Sequence, residues 1–584
     1  MVQCYCLEGA IVLFIKTTKA NGYEYVKLVE SYREGRSTKH RVLYNFGRAD
    51  IIRGDKCFIN VVKRLCEIAE MPLKEPGKTA LSDCSEATLY NYGYLAYRKL
   101  WRKLGIEECM EDQGICYHIE YSLSNAVFLM AIQHLLEPRS KLSTFAHQSR
   151  YFNMDKIPLH QLYRALDVLS ERKEDIERDL FDYNYVRLNK KVDVVFYDVT
   201  TFAFESIAVD GLRNFGYSKD CKFNEVQVVL GMIIDAEGIP VGYELFPGNT
   251  FDGKTMVKAL ENIKIRFGIQ RVIIVADRGL NNKMNLHLIA EAGYGYIMAS
   301  KIRGMNKTMQ AKILDNTGFV VANDDSGNEV FRYKTLKYTN VYKNDEGEKH
   351  SHSENLVISY SLKRAKKDKK DRERLIEKAK ALLEEPEKIK SFNKRGYKKY
   401  INQTDPEKPV TWELALEKIT QEARFDGYYG IQTSEKSMAP VDIMDAYHTL
   451  WKIEESFRVM KSTLEVRPVY HWTQKRIEGH FVVCYLAFMM ERTLENLIKN
   501  ERDEILSSPN RIQEALNTMQ LASVCANSEE LFIKAKNDLL CNKIFKILKI
   551  DLPRNISSKD DLIARFKLEE ARLPTQMTFL NPEF

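Results

Sequence analysis

Val194-Val195-Phe196-Tyr197-Asp198 is an apolar run closed by a carboxylate, and Val272-Ile273-Ile274-Val275-Ala276-Asp277 repeats the arrangement further along the chain. Short apolar runs rich in β-branched and aromatic residues read as buried strands. An acid just past such a run stands where ligands collect in open α/β sheets, beyond the carboxyl ends of the strands. A third acid, Glu454, lies in an amphipathic stretch from Tyr447 to Lys461. Tyr447, Glu454 and Lys461 recur at seven-residue spacing, and at about 100° per residue their accumulated drift is only about 40°, so one helix would carry all three on one face. Two acids at strand ends and a third on a packed helix are expected to converge. Gathered carboxylates without a fixed cationic partner favour hard divalent ions such as Mg²⁺. A pair of such ions is a recurrent apparatus for phosphodiester chemistry. Taken singly, each motif has a plainer reading: a strand-ending aspartate caps a helix or turn, and Glu454 pairs with Arg458 four residues on.

The flanking sequence completes a mixed α/β sheet. Val226 to Ile234 alternates, Asp235-Ala236-Glu237-Gly238 turns, and Ile239 to Phe246 continues as a second strand. Helices are expected over Thr255 to Phe267 and Lys283 to Ala292, with a short strand at Tyr296-Ile297-Met298. A hairpin followed by helix–strand–helix–strand makes such a sheet. Upstream, Tyr25 to Arg33 alternates and Glu34-Gly35-Arg36 turns into Arg41-Val42-Leu43-Tyr44, a hairpin carrying Lys27, Arg33, Arg36, Lys39, Arg41 and Arg48. It is either a solvated face or a nucleic-acid contact. Thr88 to Asn189 has helical periodicity, broken at Glu137-Pro138-Arg139-Ser140-Lys141, which reads as a phosphate contact or a capped helix start.

After Lys301 the character changes. Val330 to Tyr342 and Leu356 to Leu362 read as strands, and Lys363 to Lys380 is a charge-dense tract suited to a solvated helix face. Lys394-Arg395-Gly396-Tyr397-Lys398-Lys399-Tyr400 interleaves cations with aromatics, a pattern suited to nucleic acid, which makes Lys398 and Lys399 candidate DNA contacts. Gly427 to Thr433 and the Glu454 helix return to the α/β pattern. The expected division is a β-rich basic region over 1–75, a helical region over 76–190, a core in two parts over 191–300 and 422–495, an insertion over 301–421, and a helical region over 496–584.

The chain of 584 residues is 44% hydrophobic and 29% charged, the profile of a soluble globular protein. Its net charge of +7 is compatible with polyanion binding without requiring it. Eleven cysteines are scattered with no Cys-x-x-Cys pair, which argues for reduced thiols and against zinc. Gly9 to Ile15 is too short and lacks the basic flank of a signal peptide, and Phe481 to Met490 is half a membrane span. The expected location is the cytoplasm, with no membrane partner.

Tyr197-Asp198-Val199-Thr200-Thr201, Ala276-Asp277-Arg278-Gly279 and Tyr447…Glu454…Lys461 resemble the three catalytic motifs of bacterial insertion-sequence DDE transposases, in the subgroup with a Tyr-x2-Arg-x3-Glu-x6-Lys signature. Gly242 to Thr250, Phe425 to Gly430 and Ile453 to Arg458 extend the resemblance, which covers roughly Asp193 to Glu491. It implies a ribonuclease-H-like core interrupted by a β-containing insertion. It also implies two Mg²⁺ or Mn²⁺ ions on Asp198, Asp277 and Glu454, and cleavage of element ends followed by joining of the 3′-hydroxyl to target DNA. Tyr447, Arg458, Lys461, Arg278 and Trp451 become candidate DNA contacts, Trp451 by stacking unless it is a core residue. The implied partners are terminal inverted repeats, target DNA and a second copy of the chain, in a bacterial cytoplasm with nucleoid association through DNA. The signature arginine falls on Leu450, so Lys452 or Arg458 is the candidate replacement. The six-residue gap to Lys461 selects Glu454 over Glu455. His480 is read as structural. A dehalogenase-type phosphatase is disfavoured because Thr200 stands where its second aspartate belongs. A metal-dependent nuclease and a non-catalytic transposase derivative are the remaining alternatives.

Overall fold

The computed structural model describes residues 12–34, 37–71, 87–188, 194–204, 208–216, 225–250, 259, 261–262, 266–267, 273–276, 281–323, 329–343, 348–384, 396–403, 412–466, 469, 471–500, 508–526 and 529–566. Asp277, Arg278, Arg36, Lys394, Arg395 and most of the helix expected over Thr255 to Phe267 lie outside the described residues. The chain divides into two compact units, Met1–Ser85 and Glu86–Phe584.

In the first unit, strands β1 (Val12–Ala20), β2 (Tyr23–Glu34) and β3 (Ser37–Arg48) form an antiparallel sheet in that order. Helix α1 (Lys56–Ile68) follows, its first turn capped by the Asp55 carboxylate accepting from Cys57 N at 2.8 Å. Two of the basic residues are engaged within the unit. Arg41 lies 2.6 Å from the buried Glu30, and Arg48 lies 2.6 Å from Asp50 with its guanidinium 3.5 Å from the centroid of the Tyr23 ring.

The second unit opens with β4 (Thr88–Asn91) and helices that include α2 (Leu123–Leu136), α3 (Lys141–His147) and α4 (Leu159–Glu171). Every residue of α2 except Asn125 is buried, as a helix that is apolar all round must be. Ser140 caps α3 by accepting from Ser143 N, Arg139 pairs with Glu137, and Lys141 is buried. Arg139-Ser140-Lys141 is therefore a capped helix start.

A nine-stranded sheet forms the centre. Its strands are β5 (Val194–Ala203), β6 (Gln227–Ile234), β7 (Pro240–Pro247), β8 (Ile273–Ala276), β9 (Gly295–Ala299), β10 (Val320–Asn323), β11 (Glu329–Lys343), β12 (Lys349–Tyr360) and, after the small β13–β14 pair (Ile401–Gln403, Trp412–Leu414), β15 (Tyr428–Thr433). The order is β10-β11-β12-β15-β9-β8-β5-β6-β7. β7, β6 and β5 are antiparallel neighbours, whereas β5, β8 and β9 run parallel. Helix α5 (Lys283–Glu291) links β8 to β9, as a parallel connection requires. The hairpin β11–β12 thus extends the central sheet through β15, while β13–β14 pack beside the charged helix α6 (Leu362–Leu383) around Ala379, Tyr400 and Ile401.

Two expectations are corrected here. Asp198 does not end its strand: β5 continues through Val199-Thr200-Thr201-Phe202-Ala203, residues of high strand preference that pair with β6 as far as Ala203 opposite Gln227. The region 496–584 is not helical throughout. Its strands β16 (Gln520–Ala526), β17 (Glu529–Lys534) and β18 (Ile556–Ser558) join β4 in a sheet of order β18-β17-β16-β4. These strands lack a clean apolar–polar alternation, and β4, which pairs with β16, comes from the other end of the chain.

Candidate active site

The two faces of the central sheet are distinct. On β5, Phe196 and Phe202 enter the large core shared with Val275 of β8, Ile297 of β9 and the long helix (Gln474–Asn500). Val195, Tyr197 and Val199 enter the opposite core, with Ile274, Ala276, and Leu286 and Ile289 of α5. Side chains two apart on a strand share a face, so Asp198 belongs with Phe196 and Phe202 on the first. It is half-buried, and its Oδ1 accepts from Val199 N at 2.8 Å. β5 pairs with β8 as far as Phe196 opposite Val275, so Asp198 lies two residues past the last paired position.

The stretch around Glu454 packs against that same face but is not one helix. It comprises α7 (Pro440–His448), α8 (Trp451–Arg458) and a π-helical turn over Val459–Thr463. Between α7 and α8 the backbone tightens: Leu450 N donates to Tyr447 O and Lys452 N to Thr449 O, while the Thr449 hydroxyl bonds back to Asp445 O. These three-residue bonds and the wider π turn break the even rotation that the seven-residue spacing assumed. Helix α8 packs on β5, with Ile453 and Phe457 in the core beside Phe196.

Glu454 flanks that buried stripe and is exposed. Glu455 is committed, 3.2 Å from the buried Arg492 and 3.8 Å from Arg458. Lys461 Nζ lies 5.8 Å from the centroid of the Phe202 ring, over the face that bears Asp198. Tyr447 accepts a hydrogen bond from the Tyr429 hydroxyl at 2.8 Å. Trp451 is 52% exposed, which removes the core reading of this residue. Leu450 is buried, so the signature arginine's position points into the core. Lys452 is spent on the turn between β6 and β7, donating to Ala236 O, whereas the Arg458 side chain is 72% exposed. His480 is buried in a polar cluster with His134, Lys141 and Cys484.

The basic segment near Lys398 and Lys399 connects to a second feature. A cavity of about 290 Å³ is lined by Lys301, Arg303, Arg364, Asp368, Tyr428 and Tyr429 among others. Glu422 joins the two, 2.6 Å from Lys399 and 3.7 Å from Arg303. Burial opposes its charge, but hydrogen bonds from Lys399 and Tyr400 prevail and hold Glu422 below its ordinary range. Arg364 lies 4.2 Å from the centroid of the Tyr429 ring, the tyrosine that meets Tyr447. Sequence reading missed this cavity. Lys301-Ile302-Arg303-Gly304 begins two residues past the end of β9, the position beyond a strand's carboxyl end that marked the aspartates.

No described helix is long and apolar enough to cross a membrane. Comparison with curated proteins finds no match. Residues 13–71 match the N-terminal domain of IS1634 family transposases, and residues 190–490 match the transposase DDE domain. The second match spans more than half of the chain and takes in every element from β5 to α8, so the chain belongs to the insertion-sequence DDE transposases.

Proposed function

We propose that this transposase cleaves the ends of its insertion sequence and joins the freed 3′-hydroxyl to target DNA on a ribonuclease-H-like core. Asp198, Asp277 and Glu454 are its metal-binding carboxylates. The observation that carries the reading is the sheet order β7-β6-β5-β8-β9, antiparallel as far as β5 and parallel beyond it. From the Phe196–Val275 pair, two residues onward in each sequence come Asp198 and Asp277. The packing of α8 on the Asp198 face of β5 supports assigning Glu454 to the same site.

The donor chemistry fits a hard divalent ion: Asp198 is half-buried on the sheet, and Glu454 is held on a packed helix without an ion pair among the described residues. Two Mg²⁺ or Mn²⁺ ions bound there would polarise the scissile phosphate and activate the attacking oxygen. The chain's own residues bind and orient the DNA. Lys461, Arg458 and Arg278 meet phosphates, Tyr447 is held by Tyr429 beside the strand, and exposed Trp451 offers a stacking surface. Lys398, Lys399, Lys301, Arg303 and Arg364 continue the basic track.

On this reading 1–75 and 76–190 engage transposon ends and a second copy of the chain, and 191–300 with 422–495 form the core. Residues 301–421 are the insertion that grips DNA, and 496–584 are accessory. The protein acts in the cytoplasm, on the nucleoid when bound to DNA. A plasmid excision and strand-transfer assay with Asp198→Asn and Asp277→Asn tests it. Loss of cleavage with end binding retained is expected. Undiminished cleavage overturns the assignment, cleavage without joining indicates a nuclease, and wild-type binding without turnover indicates a non-catalytic derivative.

A further inference from the structure

On the face of the sheet opposite Asp198, three imidazoles and a carboxylate gather where α5 crosses the β11–β12 hairpin. His287 and Glu291 stand one helical turn apart on α5, and His350 and His352 alternate inward on β12. His287 Nε2 lies 3.2 Å from Glu291 Oε1, and its Nδ1 lies 2.9 Å from His352 Nε2. The His350 and His287 ring centroids are 4.4 Å apart, and one ligand atom each from His287, Glu291 and His350 falls within 4.8 Å of the others. Tyr342 stacks on His287 at 5.0 Å and closes one side.

We propose that His287, Glu291 and His350 form a binding site for a zinc-type transition-metal ion, with His352 orienting the His287 ring. Two imidazoles and one carboxylate leave a fourth tetrahedral position for water. With the ion on Nε2, His287 carries its proton on Nδ1 and donates it to His352 Nε2, the outer hydrogen bond that fixes a ligating histidine. A hydrogen-bonded ladder of His352, His287 and Glu291 would satisfy those three groups without metal. That ladder does not include His350, whose Nε2 lies 3.9 Å from Glu348, beyond hydrogen-bond reach, and which brings a further imidazole nitrogen to the same point. Nitrogen donors separate this site from the all-carboxylate one, which prefers Mg²⁺ or Mn²⁺. Scattered cysteines argue against a thiolate zinc site; they do not bear on an imidazole one. A bound ion would staple the helix between β8 and β9 to the hairpin β11–β12.

The test is a Co²⁺ titration of the chelator-stripped full-length protein, read by visible absorption and reversed by Zn²⁺. One equivalent with intense four-coordinate bands is expected, unchanged in Asp198→Asn, lost in His350→Gln, and weakened about 10–100-fold in His352→Phe. Glu291 is exposed, so Glu291→Gln supplies the same test with the least effect on folding. Absence of the bands in the wild type, their persistence in both His350→Gln and Glu291→Gln, or their loss in Asp198→Asn overturns the proposal. Asp198→Asn in the excision assay tests the catalytic reading separately.

Discussion

Glu455 accepts a hydrogen bond from Arg492 at 3.2 Å, while Glu454, its neighbour on the same helix, is exposed and makes no ion pair among the described residues. Adjacent carboxylates of one helix thus have different surroundings, and on the proposed function different roles. Glu454→Gln is expected to lower strand cleavage by more than about a hundredfold, the scale of losing one preorganised charged group at a reacting centre. Its thermal midpoint should not move. Glu455→Gln should behave in the opposite way, losing about 1–3 kcal/mol of stability because Arg492 keeps only Glu495 as a carboxylate partner. Excision assays paired with urea unfolding of both variants decide it.

Gly479 marks the closest approach of the long helix to α4. A Cβ there would sit 2.0 Å from the carbonyl oxygen of Leu166, which is backbone and cannot rotate aside. Gly479→Ala is expected to destabilise by about 1–3 kcal/mol through forced separation of the two helices. Urea denaturation measures the loss, with little change in the slope of the transition.

The buried imidazole cluster predicts acid lability. Burial first, and the Lys141 charge second, depress His134 and His471 to about 3 and push His480 well below its ordinary value. These groups bind protons in the unfolded chain but not in the native one, so their stabilisation is complete above pH 6.5 and is lost as pH falls toward 3. Each contributes a slope of up to about 1.4 kcal/mol per pH unit. His471→Phe should flatten the pH dependence of stability between pH 6 and 4 by about one such increment, as equilibrium unfolding across that range would reveal.

Glu491 gives the converse effect at higher pH. Burial, with Glu495 nearby, raises its pKa to about 8, and Tyr97 donates to its Oε2 at 2.6 Å. The native state therefore holds a proton that the unfolded chain has released above its ordinary value near 4.5. Stability falls as pH rises from there to about 8, by up to about 1.4 kcal/mol per pH unit. Glu491→Gln should melt higher than the wild type at pH 8, with the difference closing near pH 5.

The strands around both aspartate motifs were legible because buried parallel strands are continuous apolar runs. Val194 to Phe196 and Ile273 to Ala276 are such runs. The helix α5 and the strands β9 and β11 were legible for similar local reasons, whereas of β12 only the apolar end from Leu356 was read. Strands β16 to β18 were not legible, since they lack a clean apolar–polar alternation and β16 completes its pairing with β4 from the other end of the chain. The rotation between Tyr447 and Glu454 was not legible either, because a single tightened turn at Thr449-Leu450 resets a helical phase that spacing takes as uniform.

What the amino-acid sequence carried by itself was the family resemblance and the residue types: acids in motif order, the apolar runs that precede two of them, and basic segments of a kind suited to phosphate. Periodicity and side-chain type are local properties, and they survive being read one residue at a time. The tertiary structure alone decided which side chains remain available for that chemistry. Glu455 rather than Glu454 meets Arg492, Lys452 is drawn to Ala236, Trp451 stays at the surface, and Lys301, Arg303 and Arg364 share one cavity. Burial and ion pairing depend on what other elements bring alongside, and that is settled only when the sheet closes and the helices pack across it.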